Sequence, residues 1–378
     1  MFVRRLRASA TVALIFSSLV AGCSSAAQAA GTASEAASAG VFGRTLVNPA
    51  VTVTADGLFV AWQVNAATVA VPQFELARVN LATGAIEASH RFSAGYIGSP
   101  LAAGGSLWMT TSPGSKGESL LRLNPADLAV TEDLPVVGAS YTGVGAGSHL
   151  AIAGGALWVT GGDRLLRVSL TSGRLLTAIT LPGAFTSDVA ANSDGTVLVV
   201  GEAADSGLGS VQRRNPVTGA LLASHSTAGV TAPELGGVID SGVWASVPTG
   251  MLGYAERFTV ANMTPDAATD VGGTNGIRAI VADGVVWISD GTGGARRNYC
   301  ANPVTGHRLA TIPLPNLDQD YLLAVSPRSL YYEVAAGNGS DVRTVKVPAA
   351  CTGLSRVIFT SALLPTRRPG ESSWRTLS

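Results

Sequence analysis

The residues of this chain best suited to chemistry are one histidine, one arginine, three carboxylates and one serine: His149, Arg278, Asp188, Glu234, Asp320 and Ser99. The imidazole of His149 suits a metal ligand or a general base, because its ordinary pKa lies near neutrality. The carboxylates offer the oxygen ligands that Ca²⁺ and Mg²⁺ prefer. A single histidine without a second at an equivalent place makes a poor transition-metal site. The set predicts a polar ligand-binding site that needs no cofactor, although Ca²⁺ or Mg²⁺ would suit its carboxylates, and none of its residues is assigned a catalytic role.

These residues share a place in a repeated unit, nine to eleven positions before a large hydrophobic residue. The unit is clearest at 149–181, where Gly-containing turns separate four β-rich segments. Such runs are typical of hairpins, because glycine accepts the positive φ of tight turns. The large residue of the second segment, called the landmark residue below, recurs at intervals of 40 to 50 residues: Phe59, Trp108, Trp158, Leu198, Trp244, Trp287 and Tyr331.

Seven units of four strands predict an all-β fold, a seven-bladed β-propeller of four-stranded antiparallel blades that spans 41–361. The landmark tryptophans are expected to pack between blades. The predicted blades run 48–94, 95–137, 138–182, 183–228, 229–271, 272–316 and 317–361. The usual Thr-Gly or Ser-Gly turn is missing in blade two, around Asn124–Asp127, and in blade five, around Thr264–Asp266. Blade five is the least regular, since 251–269 replaces its usual third strand and turn. First strands line the channel of a propeller, so the polar residues are predicted to form a mixed-charge rim at its mouth; a solvated rim without a ligand is the structural alternative.

The ends of the ring leave two ways of closing it. Either Ser355–Thr360 completes blade seven alone, or Arg44–Val47 pairs with that strand and joins the two termini. Residues 362–378 carry no periodic pattern and are predicted to form a disordered tail.

The N-terminus predicts export. Three arginines precede the apolar run 8–20, which is too short for a confident transmembrane helix, and small residues follow, as in a secretory signal peptide. The tetrapeptide Val20-Ala21-Gly22-Cys23 resembles the lipobox of bacterial lipoproteins. The resemblance implies a signal peptide over 1–22 and a lipid on Cys23, which would anchor the protein to the outer face of the bacterial cell membrane. Residues 23–40, rich in Ala, Ser and Gly, would then form a flexible tether. An ordinary secreted protein is the alternative.

Export bears on the two remaining cysteines. Cys300 and Cys351 would lie in an oxidising compartment and are candidates for a disulfide between adjacent blades, provided that their Cα atoms lie within about 7 Å. The 378-residue chain has a formal net charge of zero and no basic block, which argues against nucleic acid as a partner. We expect a monomeric body.

The stretch GGALWVT…LLRVSLTSGRLLTAITL resembles the blades of YVTN-type, NHL-type and streptogramin-lyase-like propellers. The resemblance covers about 48–361 and rests on residues that build blades, so it implies the fold. Lyase- and lactonase-type propellers hold a metal and a catalytic constellation at the channel, and His149 stands where a lyase-type histidine would. No second histidine shares that rim. The Thr-Gly turns lack the tryptophan that quinoprotein dehydrogenases carry after them.

Three functions therefore remain open. The first is a binding or scaffold module for an envelope protein or a cell-surface ligand. The second is a metal-assisted lyase or lactonase at the channel mouth, with His149 as base. The third is a structural envelope protein without a discrete ligand.

Overall fold

Short hydrophobic segments separated by Gly-containing turns form 28 strands in the described part of the chain. The computed structural model describes residues 46–54, 57–64, 73–81, 83–94, 96–112, 118–136, 150–161, 164–181, 184–192, 195–203, 208–227, 233–239, 241–248, 253–273, 277–290, 298–312, 321–336 and 339–352. All of them belong to the second of two compact units, which spans Ser38–Ser378. The predicted signal peptide, Cys23, the tether and the tail lie outside the described residues.

The strands form seven antiparallel sheets, the blades. Blade one consists of β1 (Val47–Thr54), β2 (Gly57–Gln63), β3 (Gln73–Val79) and β4 (Ile86–Ser93); blade two of β5 (Tyr96–Ile97), β6 (Leu101–Ala103), β7 (Ser106–Ser112), β8 (Glu118–Leu123) and β9 (Val130–Val136); blade three of β10 (Leu150–Ala153), β11 (Ala156–Gly161), β12 (Arg164–Ser169) and β13 (Leu175–Thr180). Blade four consists of β14 (Ala184–Ala191), β15 (Val197–Ala203), β16 (Gly209–Arg214) and β17 (Leu221–Ser226); blade five of β18 (Glu234–Ile239), β19 (Gly242–Pro248), β20 (Gly253–Thr259) and β21 (Pro265–Gly273). Blade six consists of β22 (Ile277–Ala282), β23 (Val285–Asp290), β24 (Tyr299–Ala301) and β25 (Arg308–Thr311); blade seven of β26 (Tyr321–Val325), β27 (Ser329–Ala336) and β28 (Gly339–Lys346), followed by a 3₁₀ turn at Ala349–Cys351.

The predicted seven-bladed propeller is confirmed, with two local differences. Blade two has a divided first strand, since β5 and β6 both pair with β7. Blade five has a regular third strand, β20, contrary to the prediction, and the turn after it places Met263 rather than glycine at positive φ (58°). No helix among these residues has both the length and the apolar character needed to span a bilayer.

Seven hydrophobic clusters hold the ring together, one at each junction between neighbouring blades. Side chains alternate across a strand, so Leu157 packs against blade two while its neighbour Trp158 packs against blade four. The landmark residues Trp108, Trp158, Trp244 and Trp287 are fully buried, which confirms the prediction that they pack between blades. Each indole Nε1 donates a hydrogen bond to a backbone carbonyl, as a buried tryptophan requires.

The cluster between blades one and seven closes the ring, because it joins Leu58 and Val60 of blade one to Leu323 and Tyr331 of blade seven. Val47 begins β1 and pairs with Gln63 of blade one. Arg44, Thr45 and Ser355–Thr360 lie outside the described residues, so the way in which the last blade is completed stays a prediction.

Turns between third and fourth strands follow one geometry. In blade one, Asn80 accepts a backbone hydrogen bond from Gly84, and its side chain accepts a second from Thr83. Gly84 has φ +69°, a left-handed conformation that favours glycine. The Thr-Gly pair is therefore explained by turn geometry. The next turn has Leu128 at the same place, with φ 61°.

Candidate functional site

The antiparallel order of each blade defines two faces of the ring. First strands begin at one end of the blades, and the loops between second and third strands return to that end; we call it the upper face. The turns between first and second strands, and between third and fourth strands, lie at the opposite end, the lower face. The predicted polar rim belongs to the upper face.

The structure describes four of the six predicted rim residues. His149 and Asp320 lie outside the described residues. Glu234 is the first residue of β18 and is exposed, and Ser99, between β5 and β6, is exposed as well. These two side chains are available to a ligand at the upper face.

Asp188 differs from the prediction, because it is buried rather than exposed at the channel mouth. It lies in β14 with 6% of its surface exposed. Its carboxylate accepts a hydrogen bond from the backbone N–H of Leu235 in blade five (2.9 Å) and another from the N–H of Val189 (2.7 Å). Asp188 therefore joins the first strands of blades four and five.

Arg278 also connects neighbouring blades. Its Nη1 donates to the carbonyl oxygen of Leu322 in blade seven (3.2 Å). The N–H of Leu322 donates in turn to Oγ of Ser289 in blade six (3.3 Å). Leu322 is fully buried, so these two bonds satisfy a backbone unit that water does not reach.

Ser289 belongs to a repeated contact that was not predicted from the sequence, in which a hydroxyl group accepts a backbone hydrogen bond from the next blade. It lies two residues after a landmark residue, and Ser246 at the same place in blade five accepts a hydrogen bond from the N–H of Ala279 in blade six (2.9 Å). Thr110 and Thr160 occupy this place in blades two and three and are buried. Blade four has Val200 there, and Asp188 performs the same task for blade five. A hydroxyl two residues after the landmark is a signal visible in the sequence.

A second device, the arginine clasp, lies opposite the landmark residues on the third strands. Arg78, Arg122 and Arg213 pair across the strands with Phe59, Trp108 and Leu198. Their guanidinium groups donate to carbonyl oxygens of the next blade's lower turn, at Pro125, Thr171 and Ala261, over 3.3 to 3.4 Å. Arg122 also lies over the ring of Trp108, 5.4 Å from its centroid. Arg167 and Arg257 occupy the same place and bond within their own blades.

In blade six this place holds Cys300, which pairs across the strands with Trp287. Cys300 forms a disulfide with Cys351 in the segment that follows β28, with an S–S distance of 2.04 Å and a Cα–Cα distance of 6.1 Å. Both residues are buried, at 0% and 1% exposed. A covalent bond thus joins blades six and seven at the place where an arginine links blades one, two and four to the next blade.

One pair of ionisable side chains at a blade junction went unnoticed in the sequence. Burial raises the pKa of Glu256 on β20. Burial and the negative charge of Glu256 together raise the pKa of Tyr254. Glu256 lies opposite Ala245, which packs between blades four and five, so the carboxyl group faces that junction. Within the described ranges, no group of three His, Cys, Asp or Glu residues is placed to hold a metal ion.

Comparison with known proteins supports the fold. No protein-family model matches the sequence, and no curated protein does. The crystal structure of BamB from Moraxella catarrhalis is similar, with a TM-score of 0.53 at 14% identity over 78% of this chain and 95% of that chain. A protein of unknown function from Bacteroides caccae gives a TM-score of 0.43 at 13% identity over 62% of this chain and 87% of that chain. At this identity, the similarity to BamB indicates a shared β-propeller fold and specifies no ligand.

Proposed function

We propose that this protein is a lipid-anchored, extracytoplasmic β-propeller that binds an envelope protein or a cell-surface ligand through its upper face. The observation that carries the extracytoplasmic location is the buried disulfide between Cys300 and Cys351, and the exposed Glu234 and Ser99 support binding at the upper face. Structural disulfides belong to oxidising compartments, which is where the signal-like N-terminus and the lipobox-like Val20–Cys23 would send the chain.

A binding role suits the described part of the channel mouth better than catalysis does. Asp188 accepts a hydrogen bond from the backbone of the next blade and Arg278 donates one to it, so they hold the scaffold together. Glu234 and Ser99 are exposed, so a partner can reach both side chains. A rigid ring that presents exposed polar side chains on one face is typical of a binding surface.

Site-specific crosslinking tests the face. A photo-reactive amino acid replaces Glu234 in the full-length protein in its native envelope, and a matched variant carries it at the exposed Thr83 on the lower face. We expect one discrete crosslinked product from position 234 and none from position 83. Equal products from both positions, or none from either, would contradict binding through the upper face.

The anchor is tested separately with Cys23→Ser. We expect the unaltered protein in the membrane fraction and the variant, once residues 1–22 have been removed, in the soluble extracytoplasmic fraction. Membrane association of a Cys23→Ser variant that lacks residues 1–22 would exclude the lipid as the anchor.

A further inference from the structure

The outer edge of the ring is not protected equally on all blades. The fourth strand ends each four-stranded sheet and pairs only with the third strand. An exposed strand edge presents unpaired N–H and C=O groups, and proteins usually protect it with charged residues or proline. The fourth strands of blades one, two, five and six carry such residues: Glu87, Arg91, Glu132, Asp133, Pro135, Pro265, Asp266, Asp270 and Arg308.

Blades three and four lack this protection. Their fourth strands, β13 (LLTAIT) and β17 (LLASHS), contain no Asp, Glu, Lys, Arg or Pro. A β-bulge near the start of the fourth strand recurs in blades one to six, so it does not explain the difference.

The same two strands carry the most exposed large hydrophobic side chains of the described fourth strands. Leu175 and Leu176 of β13 are 54% and 49% exposed, and Leu221 and Leu222 of β17 are 52% and 47% exposed. By comparison, Ile86 and Val130, the exposed hydrophobics in the fourth strands of blades one and two, are 38% exposed. An unprotected edge and exposed leucines therefore coincide on adjacent blades.

A second copy of the chain fits this edge. When β13 pairs antiparallel with β13 of another copy about a two-fold axis, no charged side chain within either strand opposes its equivalent, because the strand has none. The formal net charge is zero for the full chain and −3 without the three arginines of the predicted signal peptide, so long-range repulsion between copies is weak. The exposed leucines would lose contact with water in such a pair, which favours association.

We propose that two copies associate through the outer edge of blade three, with β13 pairing antiparallel with β13 of the second copy and β17 extending the apolar contact. The association differs from the monomeric body expected from the sequence. It is independent of the function proposed for the upper face, because it uses the outer circumference of the ring.

Sedimentation of the full-length protein in mild detergent over a range of concentrations tests the association. Ala178→Lys places a lysine in the middle of β13, where the side chain is exposed. The matched control is Ser89→Lys, at the equivalent exposed place on β4 of blade one. We expect a monomer–dimer equilibrium whose dissociation constant rises about tenfold or more with Ala178→Lys, because like charges then meet across the two-fold axis. Ser89→Lys should leave the equilibrium unchanged.

Cysteine crosslinking gives a second readout. Ala178→Cys should yield a disulfide-linked dimer on mild oxidation, and Ser89→Cys should stay monomeric. A protein that is monomeric at every concentration would overturn the proposal, as would a dimer that the two lysine variants affect equally. In the first case the edge of blade three remains open to a strand from a different protein.

Discussion

Removing the disulfide tests whether the junction between blades six and seven depends on it. The bond joins residues 51 positions apart, and loop-closure entropy for a loop of that length corresponds to about 4 kcal/mol of stabilisation at 25 °C. Cys300→Ser with Cys351→Ser leaves blade six with neither a covalent bond nor an arginine at this place. We therefore expect the free energy of unfolding to fall by up to about 4 kcal/mol.

Arg122→Met provides the matched comparison at the junction between blades two and three. It retains an apolar stem over Trp108 and removes the hydrogen bonds to Ser106 and Thr171 and the ion pair to Glu132. Each hydrogen bond contributes about 1 kcal/mol net, and a partly exposed ion pair adds less than that. The arginine variant should therefore lose clearly less stability than the double serine variant.

Urea unfolding measures both losses, and amide hydrogen exchange shows where they act. In the double serine variant, we expect faster exchange in β26, β27 and β28 than in the unaltered protein, while blades two to four keep their protection. The reasoning is refuted if the double serine variant loses no more stability than Arg122→Met. It is also refuted if exchange rises evenly around the ring.

Three further predictions test the blade junctions, and chemical denaturation compares each variant and its control with the unaltered protein. Gly219 has φ +71°, and a Cβ there would overlap Cδ1 of Ile179, whereas Gly155 has φ +70° and open space around it. Gly155→Ala should lower the free energy of unfolding by about 1–2 kcal/mol, for the left-handed backbone alone. Gly219→Ala should lower it clearly more, and equal losses would contradict the overlap with Ile179. Ser246→Ala leaves the N–H of Ala279 without its partner and should lower the free energy of unfolding by about 1–3 kcal/mol. The control Ser89→Ala, at an exposed position, should change it little. A small effect of both variants would show that Ser246 is dispensable. Burial raises the pKa of Glu256, so the folded state favours the protonated carboxyl. The protonated carboxyl contributes fully to the stability of the folded protein in acid, below the ordinary pKa of glutamate. This contribution is lost as the pH rises through the pKa of Glu256 in the folded protein. Glu256→Gln should therefore be more stable than the unaltered protein at neutral pH and equally stable in acid. It should also lower the pKa of Tyr254 in a spectrophotometric titration. A variant that is less stable at neutral pH would show that the ionised carboxylate has a stabilising partner.

The fold could be predicted from the sequence because its signals are local and repeated. Gly84 and the equivalent glycines mark turns that need positive φ, and the landmark residues mark second strands at a nearly constant spacing. Blade five shows where this reasoning fails. The turn after β20 tolerates Met263 at positive φ, so a search for glycine overlooks a regular third strand and turn in that blade.

The candidate site was harder to predict because polarity does not reveal what a side chain contacts. Asp188 and Glu234 occupy the same place relative to their landmark residues, yet one is buried and the other exposed. The difference depends on a long-range contact, since the Asp188 carboxylate meets the N–H of Leu235, which is 47 residues away in the chain. Counting positions aligns the two residues and gives no information about that partner.

Departures from the repeat are informative because most of them are compensated by a neighbouring residue. Blade four lacks the hydroxyl after its landmark residue, and Asp188 accepts the next blade's N–H instead. Blade six lacks the arginine clasp, and the disulfide of Cys300 joins it to blade seven. The uncharged β13 and β17 are a departure of another kind, because they strengthen no contact between blades and leave leucines exposed. The exposed leucines of β13 and β17 do not stabilise the ring. A contact with another molecule is therefore the better explanation for these two strands.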